Sequence, residues 1–248
     1  FMSEIKGIWR QTKMDSSVNL QPSEIPEALN IAIQHFNDGD LSQAKDVFNR
    51  ILKTDPREEN ALHLLGVVYF KEGDNEKAVE LITEALDTNH QFSAAHCNLG
   101  SVYKVKGKLE DAANCYRKAI DCQEDFALAH CNLGNVLKDL HQSTEAEASY
   151  QKAIDLNPDY ADAHNNLGVL LHSQGQFDDA LECFRLVLAL RPDSLDFHYN
   201  LGNTLRDLGR FDEAASSYRR VVDLDPKHLR AQYALAALTD NSTEVPPD

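Results

Sequence analysis

Residues 93–126 read SAAHCNLGSVYKVKGKLEDAANCYRKAIDCQEDF, and residues 127–160 continue as ALAHCNLGNVLKDLHQSTEAEASYQKAIDLNPDY. In the first stretch apolar residues recur at helical spacing from Ala94 to Val105. The pattern breaks at Gly107 and resumes from Leu109 to Cys122. The second stretch repeats this 34 residues later. Outward from these two, Gly66, Gly100, Gly134, Gly168 and Gly202 stand 34 residues apart, each preceded by a Leu. Twelve residues beyond each Gly is an Ala (Ala78, Ala112, Ala146, Ala180, Ala214), and four further on a large residue (Ile82, Tyr116, Tyr150, Phe184, Tyr218). The same register reaches back to Ala32, Ala44, Phe48 and Pro56, and on to Leu235 and Ala236.

Each unit is therefore predicted to be two helices joined by a turn. Gly73, Gly107, Gly175 and Gly209 occupy the turn, where left-handed backbone angles cost glycine little. His141 takes that place in the fourth unit, so its turn is expected to be strained or differently shaped. Pro56, Pro158, Pro192 and Pro226 end the second helix. One helix pair cannot bury its own apolar face, so the units must stack.

The order of small residue, aromatic, Ala, aromatic and Pro in a 34-residue unit resembles the tetratricopeptide repeat. The resemblance implies an all-α solenoid, a right-handed superhelix of stacked helix–turn–helix units. Six repeats can be drawn, at 25–58, 59–92, 93–126, 127–160, 161–194 and 195–228. A capping helix at 229–239 has Leu229, Tyr233, Leu235 and Leu238 to cover the last repeat. Residues 1–24 form an N-terminal extension outside the repeats, and 240–248 a tail or linker. The bodies AHCNLGSV, AHCNLGNV, AHNNLGVL and FHYNLGNT most resemble the repeats of O-linked N-acetylglucosamine transferase and of bacterial repeat-containing transferases.

Composition narrows the function. Among 248 residues, 40 Asp and Glu face 24 Lys and Arg, a net charge of -16. That argues against a main role in holding nucleic acid or an anionic membrane, which both require positive charge. No run approaches the roughly 18 apolar residues of a membrane-spanning helix. The five cysteines (Cys97, Cys115, Cys122, Cys131, Cys183) form no CxxC, and the start, from Met2 to Met14, lacks the apolar core of a secretory signal. Free thiols and a cytoplasmic location are expected. No phosphate loop, dinucleotide fingerprint or hydrolase motif occurs, so no catalytic residue, cofactor or metal is expected. His96, His130, His164 and His198 recur every 34 residues, but equivalent places in stacked helices lie about 10 Å apart. Ligands of one ion lie about 2 Å from it, so these rings are expected to pack between helices.

The candidate binding residues lie on the first helices, which line the inner side of a curved stack. Asn98, Asn132, Asn166 and Asn200 each stand two residues before the signature Gly. Asn is a mediocre helix former, so its repetition mid-helix has a cause. One reading is hydrogen bonding between neighbouring repeats. The other is a ladder of amides pairing with the backbone of an extended peptide, whose advance of about 3.3 Å per residue brings every third residue to a rung. The transferase resemblance favours the ladder. Four residues after the Gly stand Lys104, Lys138, His172 and Arg206, a basic stripe for an acidic client that Asp139 and Asp207 temper. Asn135, Asn203 and Tyr199 complete the lining. A clamp for a terminal carboxylate, as in chaperone-binding repeats, needs a basic residue three places before the Gly. Those places hold Leu29, His63, Cys97, Cys131, Asn165 and Tyr199.

The expected function is non-catalytic recognition of an extended protein or peptide client in the concave groove of repeats three to six. One alternative is the substrate-recruiting region of a larger glycosyl- or methyltransferase-type enzyme whose catalytic domain is absent from this chain. Another is a scaffold that self-assembles into a homo-oligomer through its end repeats. Ile5, Ile8 and Trp9, with Lys6, Arg10 and Lys13, form an amphipathic strip expected to dock on the first repeat or on a neighbouring molecule.

Overall fold

The structure, a computed structural model, describes residues 20–241, and the amphipathic strip around Trp9 and most of the C-terminal tail lie outside them. A 3-10 turn at Pro22–Glu24 leads into thirteen α-helices, with no strand among the described residues. The chain forms two compact units, meeting in sequence between Glu124 and Asp125. The first holds α1 (Ile25–Asn37), α2 (Leu41–Thr54), α3 (Glu59–Glu72), α4 (Asn75–Thr88), α5 (Ser93–Val105) and α6 (Leu109–Cys122). The second holds α7 (Ala127–Asp139), α8 (Ser143–Leu156), α9 (Ala161–Ser173), α10 (Phe177–Leu190), α11 (Leu195–Asp207), α12 (Phe211–Leu224) and α13 (Leu229–Asn241).

The helices pair as the pattern requires: α1 with α2, α3 with α4 and α5 with α6 in the first unit, α7 with α8, α9 with α10 and α11 with α12 in the second. Within each unit the first helices also touch one another, α1 with α3 and α3 with α5, α7 with α9 and α9 with α11. This is the all-α, helix-pair stack read from the sequence.

Each pair closes around one large side chain. Tyr116, Tyr150, Phe184 and Tyr218 are at most 1% exposed. A Cβ on Gly134 or Gly202 would stand 2.6 Å from a ring carbon of Tyr150 or Tyr218. The signature residue is glycine because the aromatic occupies the volume a methyl would need. The turns hold Gly39, Gly73, Gly107, Gly175 and Gly209 at φ between 72° and 88°, and His141 at φ 61°. The fourth turn therefore keeps the common left-handed geometry, with strain located at one non-glycine residue. The C-terminal helix corrects one expectation. Leu235 and Leu238 pack with Tyr218, Leu205 and Leu181, but Leu229 and Tyr233 point outward, 62% and 74% exposed. No helix among the described residues is long and apolar enough to cross a membrane.

Candidate functional site

Helical geometry and the 34-residue period place Asn98 on α5, and Asn132, Asn166 and Asn200 on α7, α9 and α11 of the second unit. All four are half-buried. Three have a partner of one kind. Nδ2 of Asn98 donates to Nε2 of His63 at 2.8 Å, that of Asn166 to Sγ of Cys131 at 3.8 Å, and that of Asn200 to Oδ1 of Asn165 at 3.0 Å. Each partner sits three residues before the signature glycine in the preceding repeat. One amide N–H thus bridges neighbouring first helices. Among the described residues, the amide oxygens of Asn98, Asn166 and Asn200 accept no bond. An amide carries two donors and an acceptor with two lone pairs. The bridge orients the group and leaves a C=O and one N–H for another partner.

His63 shows how the bridge is tuned. An amide nitrogen can only donate, so Nε2 accepts and the ring proton lies on Nδ1. Burial pushes the His63 pKa down to about 4, keeping the imidazole neutral. Its ring packs edge-on against Phe92, centroids 4.7 Å apart.

Asn135 and Asn203 do something the sequence reading missed. Oδ1 of Asn135 accepts from the Tyr150 hydroxyl at 2.9 Å, and Oδ1 of Asn203 from the Tyr218 hydroxyl at 2.8 Å. Ser101 and Tyr116 pair likewise, at 3.1 Å. Where the large residue is Phe184 or Ile82, the place after the glycine holds Val169 or Val67. The chain matches the two places internally, polar with Tyr and apolar with Phe or Ile. That correspondence was visible in the sequence. Tyr199 packs beside Tyr218 and His228, with centroids 5.8 and 5.3 Å away.

The basic stripe is partly neutralised. Arg206 Nε donates to Oδ1 of Asp207 at 2.9 Å, while the other oxygen of that carboxylate meets Nε2 of His172 at 3.0 Å. Lys104 and Lys138 are half-buried near the ends of α5 and α7. The repeated histidines are stitches. Nε2 of His96, His164 and His198 donates to the carbonyls of His90, Pro158 and Pro192, at 3.0, 2.9 and 2.7 Å. Each fastens the start of a first helix to the loop before it. No metal-ligand cluster exists among the described residues. Burial pushes the thiols of Cys115 and Cys183 up to about 11, leaving them protonated.

Models of the tetratricopeptide repeat match residues 102–141, 131–194 and 195–228, which together run from 102 to 228 without a gap. A model of subunit 3 of the anaphase-promoting complex, or cyclosome, matches 37–119. No curated protein sequence matches the chain. Among solved structures, PilF of Pseudomonas aeruginosa is similar with a TM-score of 0.79 at 19% identity, over 87% of this chain and 98% of that one. PilW, a type IV pilus biogenesis factor, gives 0.78 at 20% identity, over 87% and 100%. YrrB, described as a TPR protein with an unusual peptide-binding site, gives 0.62 at 24% identity, over 75% and 96%. At these identities the likeness is one of fold. Period, helix pairing and family models agree: the chain is built of tetratricopeptide repeats.

Proposed function

We propose that the chain is a non-catalytic protein-interaction module that holds an extended peptide segment along its first helices. Asn132, Asn166 and Asn200 supply the rungs in the second unit, and Asn98 the equivalent group in the first. The observation that carries this reading is the half-used amide. Asn98, Asn166 and Asn200 spend one N–H on the preceding repeat and keep an oriented C=O and N–H. Both sequence readings of these residues are then realised by one side chain. An amide fixed before binding loses little further freedom when a client arrives. Tyr199 adds an aromatic surface, whereas Asn135 and Asn203 act behind the face through their tyrosines. Lys104, Lys138 and Arg206 favour carboxylates on the client. The match of repeat bodies to O-linked N-acetylglucosamine transferase, and the peptide-binding site attributed to YrrB, are consistent with this use of the fold.

The test uses an unstructured peptide selected by display against the full chain. Backbone N-methylation at every third residue should abolish binding, while changing side chains at the same residues to Ala should alter it little. The reverse outcome would show recognition by side-chain pockets and refute the ladder. Binding should weaken between low and physiological salt if the cationic stripe meets client carboxylates, because screening acts over about 8 Å there.

Self-association is a second reading, favoured by the exposed Leu229 and Tyr233 on α13. Light scattering of the intact chain and of Tyr233→Glu decides it. A dimer lost in the variant supports self-assembly, and a monomer in both excludes it.

A further inference from the structure

Away from the first-helix face, the first unit holds a cavity of about 610 Å³ between α4, α5 and α6. Its apolar floor includes Leu86 and Leu99, and its walls bring together Asp87, Asp111 and Asp121 against one cation, Lys118. Neither Asp87 nor Asp121 is in an ion pair among the described residues. Both are the penultimate residues of their helices, at the negative end of the macrodipole, where a carboxylate is disfavoured. Folding alone gives no reason for that placement.

A second observation concerns His96, which lines the same cavity and is 8% exposed. Its Nε2 faces the carbonyl oxygen of His90 at 3.0 Å, an atom that can only accept, so Nε2 carries the proton. Burial lowers its pKa, and the neighbouring Lys118 charge adds to that, so the ring stays neutral. Nδ1 is left as a bare lone pair, buried and without a partner. A buried acceptor of this kind calls for a donor. The carboxylates around it are acceptors too. The cavity therefore selects a donor-rich cation with an apolar stem.

We propose that this cavity binds the side chain of an arginine carried by an extended partner segment. The three-carbon stem lies on Leu86 and Leu99. The planar guanidinium, with five donors in a fixed fork, addresses two carboxylates and the imidazole lone pair at once. An ammonium is a compact charge with three donors and cannot span the same acceptors. The site is independent of the amide ladder and would stand if the ladder failed.

The probe is the capped tripeptide acetyl-Gly-Arg-Gly-amide, titrated into the full ¹⁵N-labelled chain at millimolar concentration and followed by NMR. Its citrulline and lysine counterparts are the controls. Shifts should cluster on α4–α6, with the His96 Nδ1 resonance moving as its lone pair gains a donor. The citrulline and lysine peptides should bind several-fold more weakly. Asp87→Asn with Asp121→Asn should cut affinity for the arginine peptide about tenfold, roughly threefold for each exposed carboxylate. The double variant removes charge from two helix C-termini, so it should fold at least as stably, which its melting curve checks. Absence of saturable shifts at the cavity, equal affinity for the citrulline or lysine peptide, or unchanged affinity in the double variant would each overturn the assignment.

Discussion

At the residue scale, His63 carries the clearest pH signature. Its folded pKa of about 4 lies below the ordinary 6.5, so the unfolded chain takes up its proton first as pH falls. The stability it contributes is fully present above about 6.5 and is lost between there and about 4. A gap of that size corresponds to at most about 3 kcal/mol. Urea unfolding of the wild type and of His63→Gln from neutral pH to pH 4 should show the variant losing less stability over that window. Parallel curves would mean that the buried imidazole protonates without cost. His141 offers an independent check. Its φ of 61° is the conformation glycine holds in the other turns, so His141→Gly should raise stability by about 0.5–1 kcal/mol. A lower midpoint would show that the side chain makes a contact outweighing its strain.

At the element scale, a helix pair is closed by its aromatic residue and the residue behind it. Tyr218 donates to Asn203, so Tyr218→Phe should cost about 1–2 kcal/mol by leaving an amide oxygen without its donor. Asn203→Val in that background should restore much of the loss, since Phe184 and Val169 occupy the same two places one repeat earlier. A double-mutant cycle by urea unfolding reads the coupling directly, and strict additivity would contradict the pairing. The elements were legible because repetition exposes them. A turn glycine, a Pro two residues past a helix end and an apolar stripe recur in one register. The bridging amides were less legible. Asn200 meets Asn165, and Asn98 meets His63, 35 residues back rather than 34. A pairing one residue off the period is hidden when equivalent places are aligned only with each other. Leu229 and Tyr233 were misread because helical spacing shows which residues share a face, but not how much of it the preceding repeat covers.

At the scale of the whole molecule, a net charge of -16 surrounds binding faces of different chemistry. Neutral amides and a few tempered cations line the first helices, while a carboxylate-rich cavity opens between α4, α5 and α6 in the first unit. Stacked repeats allow this because each contributes one first-helix rung and one second-helix wall without changing its core. The central claim is that the amides hold client backbone as well as bridging repeats. It is tested most directly by Asn166→Ala with Asn200→Ala in the intact chain, titrated with a display-selected peptide while circular dichroism follows folding. The account predicts a binding loss of about 1–3 kcal/mol with native helicity and only a modest fall in melting temperature, because the Asn166 bridge to sulfur at 3.8 Å is weak. Unchanged affinity in a folded double variant would contradict it.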